Sequence, residues 1–134
     1  MPDKEAHLRL AEHNQQTIAH LAKGFTMFSD WITTVAFYRA LHLVEAAFAC
    51  DSQVLHRSDH TRRNRVLKKN PKYQTLYRFY RRLWQASNVA RYLERQGKSA
   101  VATFASYMTP EDVKNDVLGD WLPKIEKHTS RLTT

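Results

Sequence analysis

The sequence predicts an all-α protein, an up-down bundle of four long helices with one or two short helices beside them. Three observations support this fold class. Only three Gly and four Pro leave too few turns for an all-β fold of 134 residues. Long stretches repeat apolar side chains at helical spacing, and helix-capping signals separate them. The length suits one domain, residues 1–134, with a single sizeable core.

The first two helices set the centre of the bundle. Residues 3–23 predict an amphipathic helix that ends at Gly24. The next helix, Ser29–Cys50, is apolar on nearly every side, which predicts that other helices surround it. Its length also suits a membrane span. Three ionisable residues that would be costly in lipid argue against a span: Arg39, His42 and Glu45. We therefore expect the central helix of a soluble bundle.

Two further helices follow in the middle of the chain. Ser58–Asp59 is an N-cap signal that opens a short basic helix, and Asn70–Pro71 ends it. Residues 73–94 then predict the third long helix, because large apolar side chains recur on one face and arginines on the other. Gln96–Gly97–Lys98 breaks this helix.

The C-terminal part contains one ambiguous stretch and one clear helix. Residues 99–108 are compatible with a short helix or with a folded-back loop. Thr109–Pro110–Glu111–Asp112 combines a capping hydroxyl, Pro at the first helical position and first-turn acids, which predicts a helix start. Pro123 falls inside the last helix and is expected to kink or break it near Gly119–Asp120.

The net charge of +8 comes from one segment. Residues 56–82 hold ten Lys or Arg against a single acid, and the rest of the chain is close to neutral. Such a concentration favours a polyanion or the acidic face of a protein partner. The candidates for phosphate binding are Arg57, Arg62, Arg63, Arg65, Lys68, Lys69, Lys72, Arg78, Arg81 and Arg82. Adjacent helical positions diverge by about 100°, so some of these cations must point away from a ligand.

Aromatic residues interleave with the arginines of the third long helix: Tyr73, Tyr77, Tyr80 and Trp84. This composition is typical of a surface that stacks single-stranded bases. Aromatics at helical spacing also build cores, and we assign Tyr80 and Trp84 to the core. Tyr77 is the candidate for an exposed stacking position.

Arg39, His42 and Glu45 repeat along the central helix at i, i+3, i+6. Buried charges are usually paired, so one interpretation is an internal polar seam, with Arg39 beside an acid or His42 beside Glu45. The other is a ligand pocket between helices lined by these three residues.

The order of these pieces resembles a HEPN domain, a small helical bundle of nucleotide- and RNA-associated proteins. The matching pieces are Ala11–Glu12, the run from Phe37 to Ala46 (FYRALHLVEA), His56 or His60, and the run from Ser87 to Tyr92 (SNVARY). Catalytic members carry an Arg and a following His with four to six residues between them; here Arg9 and His13 have only three residues between them. That motif is missing here; its nearest counterpart is Arg63, with Lys68 in the His position.

The resemblance therefore implies a non-catalytic HEPN-like protein that binds nucleic acid, RNA favoured, or nucleotide phosphate through the basic segment. It also implies a homodimer and a link to toxin–antitoxin or defence systems. One alternative is a metal-independent, toxin-like endoribonuclease that uses His56 or His60 as acid or base, with Arg63 holding the phosphate. Another is a structural subunit that binds an acidic protein partner.

No cofactor, metal site or membrane association is expected. His56 and His60 have the i, i+4 spacing of a metal-binding pair, but no third ligand lies nearby and the surrounding cations disfavour a metal. The single cysteine and the polar N-terminus, which lacks an apolar signal segment, predict a cytoplasmic protein.

Overall fold

A computed structural model describes residues 2–54, 59–95 and 98–134, and every regular element within them is helical. The α-helices are α1 (Lys4–Leu21), α2 (Phe25–Ala49), α3 (His60–Lys69), α4 (Gln74–Tyr92), α5 (Phe104–Tyr107), α6 (Pro110–Asp112) and α7 (Leu122–Thr133). A 3₁₀ turn, Ala22–Gly24, joins α1 to α2, and a π-helical segment, Val113–Trp121, joins α6 to α7. The prediction of an all-α protein is confirmed.

Local capping explains where several helices begin. The Asp3 carboxylate accepts a hydrogen bond from the Ala6 amide at the start of α1. Asp59 does the same for the first amides of α3, and Ser58, the other half of that predicted cap, lies outside the described residues. Thr109 and Asp112 form a reciprocal capping box at the start of α6. Each cap satisfies amides that have no partner within the helix.

Helix α2 lies at the centre of the fold. Its backbone departs from helical geometry at Phe28, so the regular helix begins near Ser29, as the sequence predicts. Side chains all around it are fully buried: Ile32, Thr33, Ala36, Phe37, Ala40, Val44, Glu45 and Ala46. Helices α1, α4 and α7 pack against it. This burial on every side fits its nearly continuous apolar sequence.

The last helix does not break at Pro123. Helical backbone runs from α6 through the π-helical segment into α7, and Pro123 sits in the first turn of α7. A proline has no amide hydrogen and its ring crowds the carbonyl four residues earlier. The wider π-helical turns end just before it, at Trp121, so the segment accommodates the proline without the expected break.

The region after α4 differs slightly from the prediction. Helix α4 ends at Tyr92, and Leu93 takes the left-handed conformation (φ 56°) that often closes a helix. The ambiguous stretch contains a short helix, α5, which is capped by reciprocal hydrogen bonds between Thr103 and Ser106. Phe104 is buried in the core and attaches this helix to it.

Candidate nucleic-acid interface

Helix α3 distributes its cations over two sides. Arg62, Arg65 and Lys69 follow each other at i, i+3, i+7 and line an open groove between α3 and the turn after α2, which we call the α3 groove. Lys68 is exposed. Arg63 points into the core, with 3 % of its surface exposed. Adjacent positions of a helix point in different directions, so the cations of α3 do not all share one face, and Arg63 is the one that points inward.

The cations of the α3 groove are available for a ligand. No ion pair between described residues involves Arg62, Arg65, Lys68 or Lys69. The Nε atom of Arg62 is buried and, in the part of the chain that the structure describes, has no hydrogen-bond partner. Gln53, Val54, Val66, Asn70 and Pro71 also line the groove, and none of its described lining residues is an acid. An anion in this groove meets positive charge, and no carboxylate among the described lining residues competes with it.

The cations around α4 are partly engaged. Lys72 donates to the buried carboxylate of Asp51 over 3.3 Å, while half of its side chain stays exposed. The Arg78 guanidinium lies 4.7 Å from the centre of the Phe79 ring, within cation–π range. Arg81 and Arg82 are exposed. These cations extend the positive surface beyond α3.

The interleaved aromatics do not form an exposed stacking surface. Tyr73 and Tyr80 are fully buried, and Tyr77 and Trp84 are half-buried against the core. The Tyr73 hydroxyl donates to Asp51 over 2.7 Å. This hydrogen bond lowers the pKa of Asp51, and burial raises the pKa of Tyr73. The assignment of Tyr80 to the core is confirmed, and Tyr77 offers only part of its ring to solvent.

Arg63 forms a buried ion pair with Glu45. Its Nε donates to Glu45 Oε1 over 2.5 Å, and the Glu45 side chain is completely buried. Arg63 was predicted to bind phosphate and Glu45 to line a pocket, and the two residues instead bond to each other. Arg63 is not part of the exposed cationic surface, because its charge is matched inside the bundle. The buried hydroxyl of Tyr80 lies near this pair, and burial raises the pKa of Tyr80.

His60 stands at the outer end of the same arrangement. Its Nδ1 lies 3.0 Å from Arg63 Nη1, and its ring stacks on Phe37 with centroids 6.2 Å apart. Because arginine only donates, Nδ1 must accept, so the proton of the neutral ring sits on Nε2. Desolvation of the ring, together with the positive charges of Arg63 and Arg91, lowers the pKa of His60.

Two further histidines, His7 and His42, bond to each other. The Nδ1 atoms of His7 in α1 and His42 in α2 are 3.0 Å apart, so one ring donates to the other. Burial lowers the pKa of His42, and His7 adds to the effect. We call His7, His42, Glu45, His60 and Arg63 the histidine cluster. It holds α1, α2 and α3 together.

Arg39 belongs to a different contact. Its guanidinium donates to Glu126 of α7, with Nη2 2.6 Å from Oε2, and Nη1 donates to the Ala11 carbonyl over 2.7 Å. The expected pairing of Arg39 with an acid is thus present. The three residues of the predicted seam therefore have different partners: Arg39 bonds to Glu126, His42 to His7 and Glu45 to Arg63.

Arg91 was not identified as a site residue from the sequence. It donates to the Tyr38 hydroxyl over 2.9 Å and to Ser87 and Asn88 on its own helix. Its guanidinium also lies 5.7 Å from the Phe37 ring centre. The spacing of Ser87 and Arg91, one helical turn apart with Ser87 at a core position, is the sequence signal that points Arg91 towards the bundle.

Helix α7 also carries cations that the sequence analysis left out. Lys124, Lys127 and Arg131 line a groove of about 290 Å³ between α4 and α7, opposite Arg78. We call it the α4–α7 groove. A charge count along the sequence does not reveal it, because acids of the C-terminal part balance these cations in number, although within the described residues Asp120 pairs only with Lys124 and Glu126 pairs with Arg39.

The described residues show neither a metal centre nor a membrane span. No group of three or more His, Cys, Asp or Glu within them is placed to hold a metal ion. None of the described helices is long and apolar enough to cross a membrane. His56 and Arg57, which belong to the ribonuclease alternative and to the predicted phosphate-binding set, lie outside the described residues.

No protein-family model, no curated protein and no solved structure matches the chain.

Proposed function

We propose that this chain is a non-catalytic, HEPN-like protein that binds nucleic acid, RNA favoured, or nucleotide phosphate through exposed cations of α3 and α4. The observation that carries the proposal is the α3 groove. Arg62, Arg65 and Lys69 share one face there, and within the described residues they have no acid beside them in the lining and form no ion pair. Clustered cations with free donors are what a phosphate backbone requires.

The scaffold of this proposal is an up-down bundle of four long helical stretches. Helices α1, α2 and α4 supply three, and the stretch from α6 through α7 supplies the fourth. Helix α2 packs against the other three, and α4 also packs against α7. In such a bundle α3 lies outside the central layer, which leaves one of its faces open to a ligand.

Binding is expected to be insensitive to sequence. Phosphate contacts position a protein on nucleic acid but carry no base information. Two of the four interleaved aromatics are fully buried, and the other two are packed on the core. Without an aromatic stacking surface at these positions, charge supplies most of the affinity, so it should fall steeply with salt.

The geometry favours binding over cleavage. Arg63, the proposed phosphate holder of the ribonuclease alternative, is buried and bonded to Glu45 and His60. The neutral His60 ring presents a protonated Nε2, which cannot accept a proton from a ribose hydroxyl without a change of tautomer. We therefore expect no ribonuclease activity. Metal-independent cleavage by the purified chain that is lost in His56→Ala or in His60→Ala would overturn this expectation.

A homodimer is part of the same proposal. Met27, Phe28 and Trp31 are exposed large apolar residues near the start of α2, and a second copy of the chain would cover them. Sedimentation velocity across a range of concentrations tests this directly. A monomer at all concentrations, with Trp31→Ala unchanged from the parent, would contradict it.

Fluorescence anisotropy with labelled single-stranded RNA, single-stranded DNA and duplex at two salt concentrations tests the function. The variant Arg65→Glu/Lys69→Glu should weaken binding to every sequence alike. Its matched control is Arg9→Glu/Lys23→Glu, which makes the same change in net charge at exposed positions outside α3 and α4. Affinity no better than millimolar at low salt, or equal loss in both variants, would refute the proposal.

A further inference from the structure

The α4–α7 groove gathers positive charge from two helices. Its polar lining consists of Thr75 and Arg78 from α4 and of Lys124, Lys127, His128 and Arg131 from α7. None of the described residues that line the groove is acidic. Lys127 and Arg131 are one helical turn apart, so their side chains lie on the same face of α7.

Two of these cations lie over one buried ring. The Arg78 guanidinium lies 4.7 Å and the Lys124 ammonium 4.9 Å from the centre of Phe79. Lys124 also bonds to Asp120 over 2.5 Å. In contrast, no ion pair within residues 2–54, 59–95 and 98–134 neutralises Arg78, Lys127 or Arg131. Cations that line one groove without an ion pair favour a bound anion.

The ring itself is not open to a base. Phe79 is 6 % exposed, and its faces are taken by the packing of the core and by the two cations. The groove therefore offers charge and hydrogen-bond donors, with no free aromatic face for stacking. This chemistry suits the phosphate groups of a ligand rather than its bases.

The α4–α7 groove adjoins the α3 groove. Asn70 and Pro71 in the connection between α3 and α4 line the α3 groove. The next residue, Lys72, has its carbonyl 3.2 Å from Nε2 of His128, which lines the α4–α7 groove. The Lys72 side chain is half-exposed and bonds to the buried carboxylate of Asp51. Cations thus follow one another from α3, across this connection, to α7.

We propose that a bound nucleic-acid strand crosses the α3–α4 connection and that Arg78, Lys127 and Arg131 hold its phosphates in the α4–α7 groove. The inference rests on the proposed function and adds the C-terminal helix to the interface. Arg62, Arg65 and Lys69 alone would give a log–log salt slope of about −2 for a single strand. Three further contacts in the α4–α7 groove would bring the slope to about −4.

The test measures this slope with a labelled single-stranded RNA for the parent protein and two variants. Lys127→Gln/Arg131→Gln should reduce the magnitude of the slope by about 1.4, since two phosphate contacts are lost. Arg9→Gln/Lys23→Gln removes the same charge from other exposed positions and should leave the slope at the parent value. Single Lys127→Gln, with a loss of about 0.7, serves if the double variant unfolds.

Failure of the inference and failure of the proposed function give different results. If the parent protein does not bind RNA at low salt, the proposed function is wrong. If the parent binds but Lys127→Gln/Arg131→Gln matches its control, the function stands and the α4–α7 groove is not part of the interface. If polyglutamate displaces the RNA at equal charge concentration and binds more tightly, an acidic protein partner replaces nucleic acid and the inference fails.

Discussion

Replacing Arg63 separates its role in the core from a role in phosphate binding. In Arg63→Met the side chain keeps much of its volume, while the buried Glu45 carboxylate loses the guanidinium that lies 2.5 Å away. Arg63 is 3 % and Glu45 0 % exposed at the side chain, so values for surface ion pairs do not apply. Breaking a buried pair by removing one partner costs about 3–5 kcal/mol. We expect that loss in the free energy of unfolding.

Lys68→Met is the matched control, because it makes the same chemical change at an exposed position of the same helix. It should change stability by no more than about 0.5 kcal/mol. Replacing both partners, as in Glu45→Met/Arg63→Met, should destabilise less than Arg63→Met alone, since no buried charge is left behind.

Urea unfolding followed by circular dichroism gives the free energy of unfolding of the parent and of the three variants. The salt slope for RNA binding is measured on the same samples. Arg63→Met should retain the parent slope wherever it is folded. If Arg63→Met unfolds at the parent midpoint and instead weakens RNA binding, Arg63 is a phosphate contact and the buried-pair assignment is wrong.

Three further predictions follow from the core and from the titrating groups. Leu41→Ala should lower the unfolding free energy by about 2–5 kcal/mol, because Leu41 is buried in the central helix, and an unmoved denaturation midpoint would contradict that position. Tyr73→Phe should cost about 1–3 kcal/mol, since the buried Asp51 carboxylate loses a donor. The lowered pKa of Asp51 stabilises the fold above the ordinary value of 3.8, so Tyr73→Phe should also reduce the loss of stability on acidification. His42 and His60 have pKa values below 6.5, so the unfolded chain takes up their protons first. Stability should therefore fall as the pH drops below about 6.5, and less so in His42→Gln, as thermal melts across pH would show.

Helix boundaries were predictable where the signal is local. The capping carboxylates of Asp3 and Asp59 and the Thr109–Asp112 box each act within four residues, so the sequence contains the whole interaction. The continuous apolar character of α2 predicts its central position, because a helix that is apolar on every side must be surrounded by other elements. The end of α4 was not predictable in this way. Leu93 takes the left-handed conformation there although it is not a glycine, and no local sequence pattern indicates this.

The site was harder to predict, since its contacts join distant parts of the chain. The sequence does not distinguish Arg63 from the other cations of α3. Only the structure shows that it bonds to Glu45, 18 residues earlier. Arg39 finds Glu126 at a separation of 87 residues. A charge count along the sequence marks α3 and α4 as basic but treats Lys127 and Arg131 as balanced by nearby acids, although α7 turns them onto one face.

The most direct test of the central claim is to map bound RNA on the isotope-labelled protein by nuclear magnetic resonance. The proposed function predicts that single-stranded RNA at low salt shifts amide signals of α3, with Arg65 and Lys69 among the largest changes. The further inference adds Lys127 and Arg131 of α7. Signals of Arg63 should move little, because its side chain is bonded inside the bundle. Absence of any shift, or shifts confined to α1 and the start of α2, would contradict the proposal.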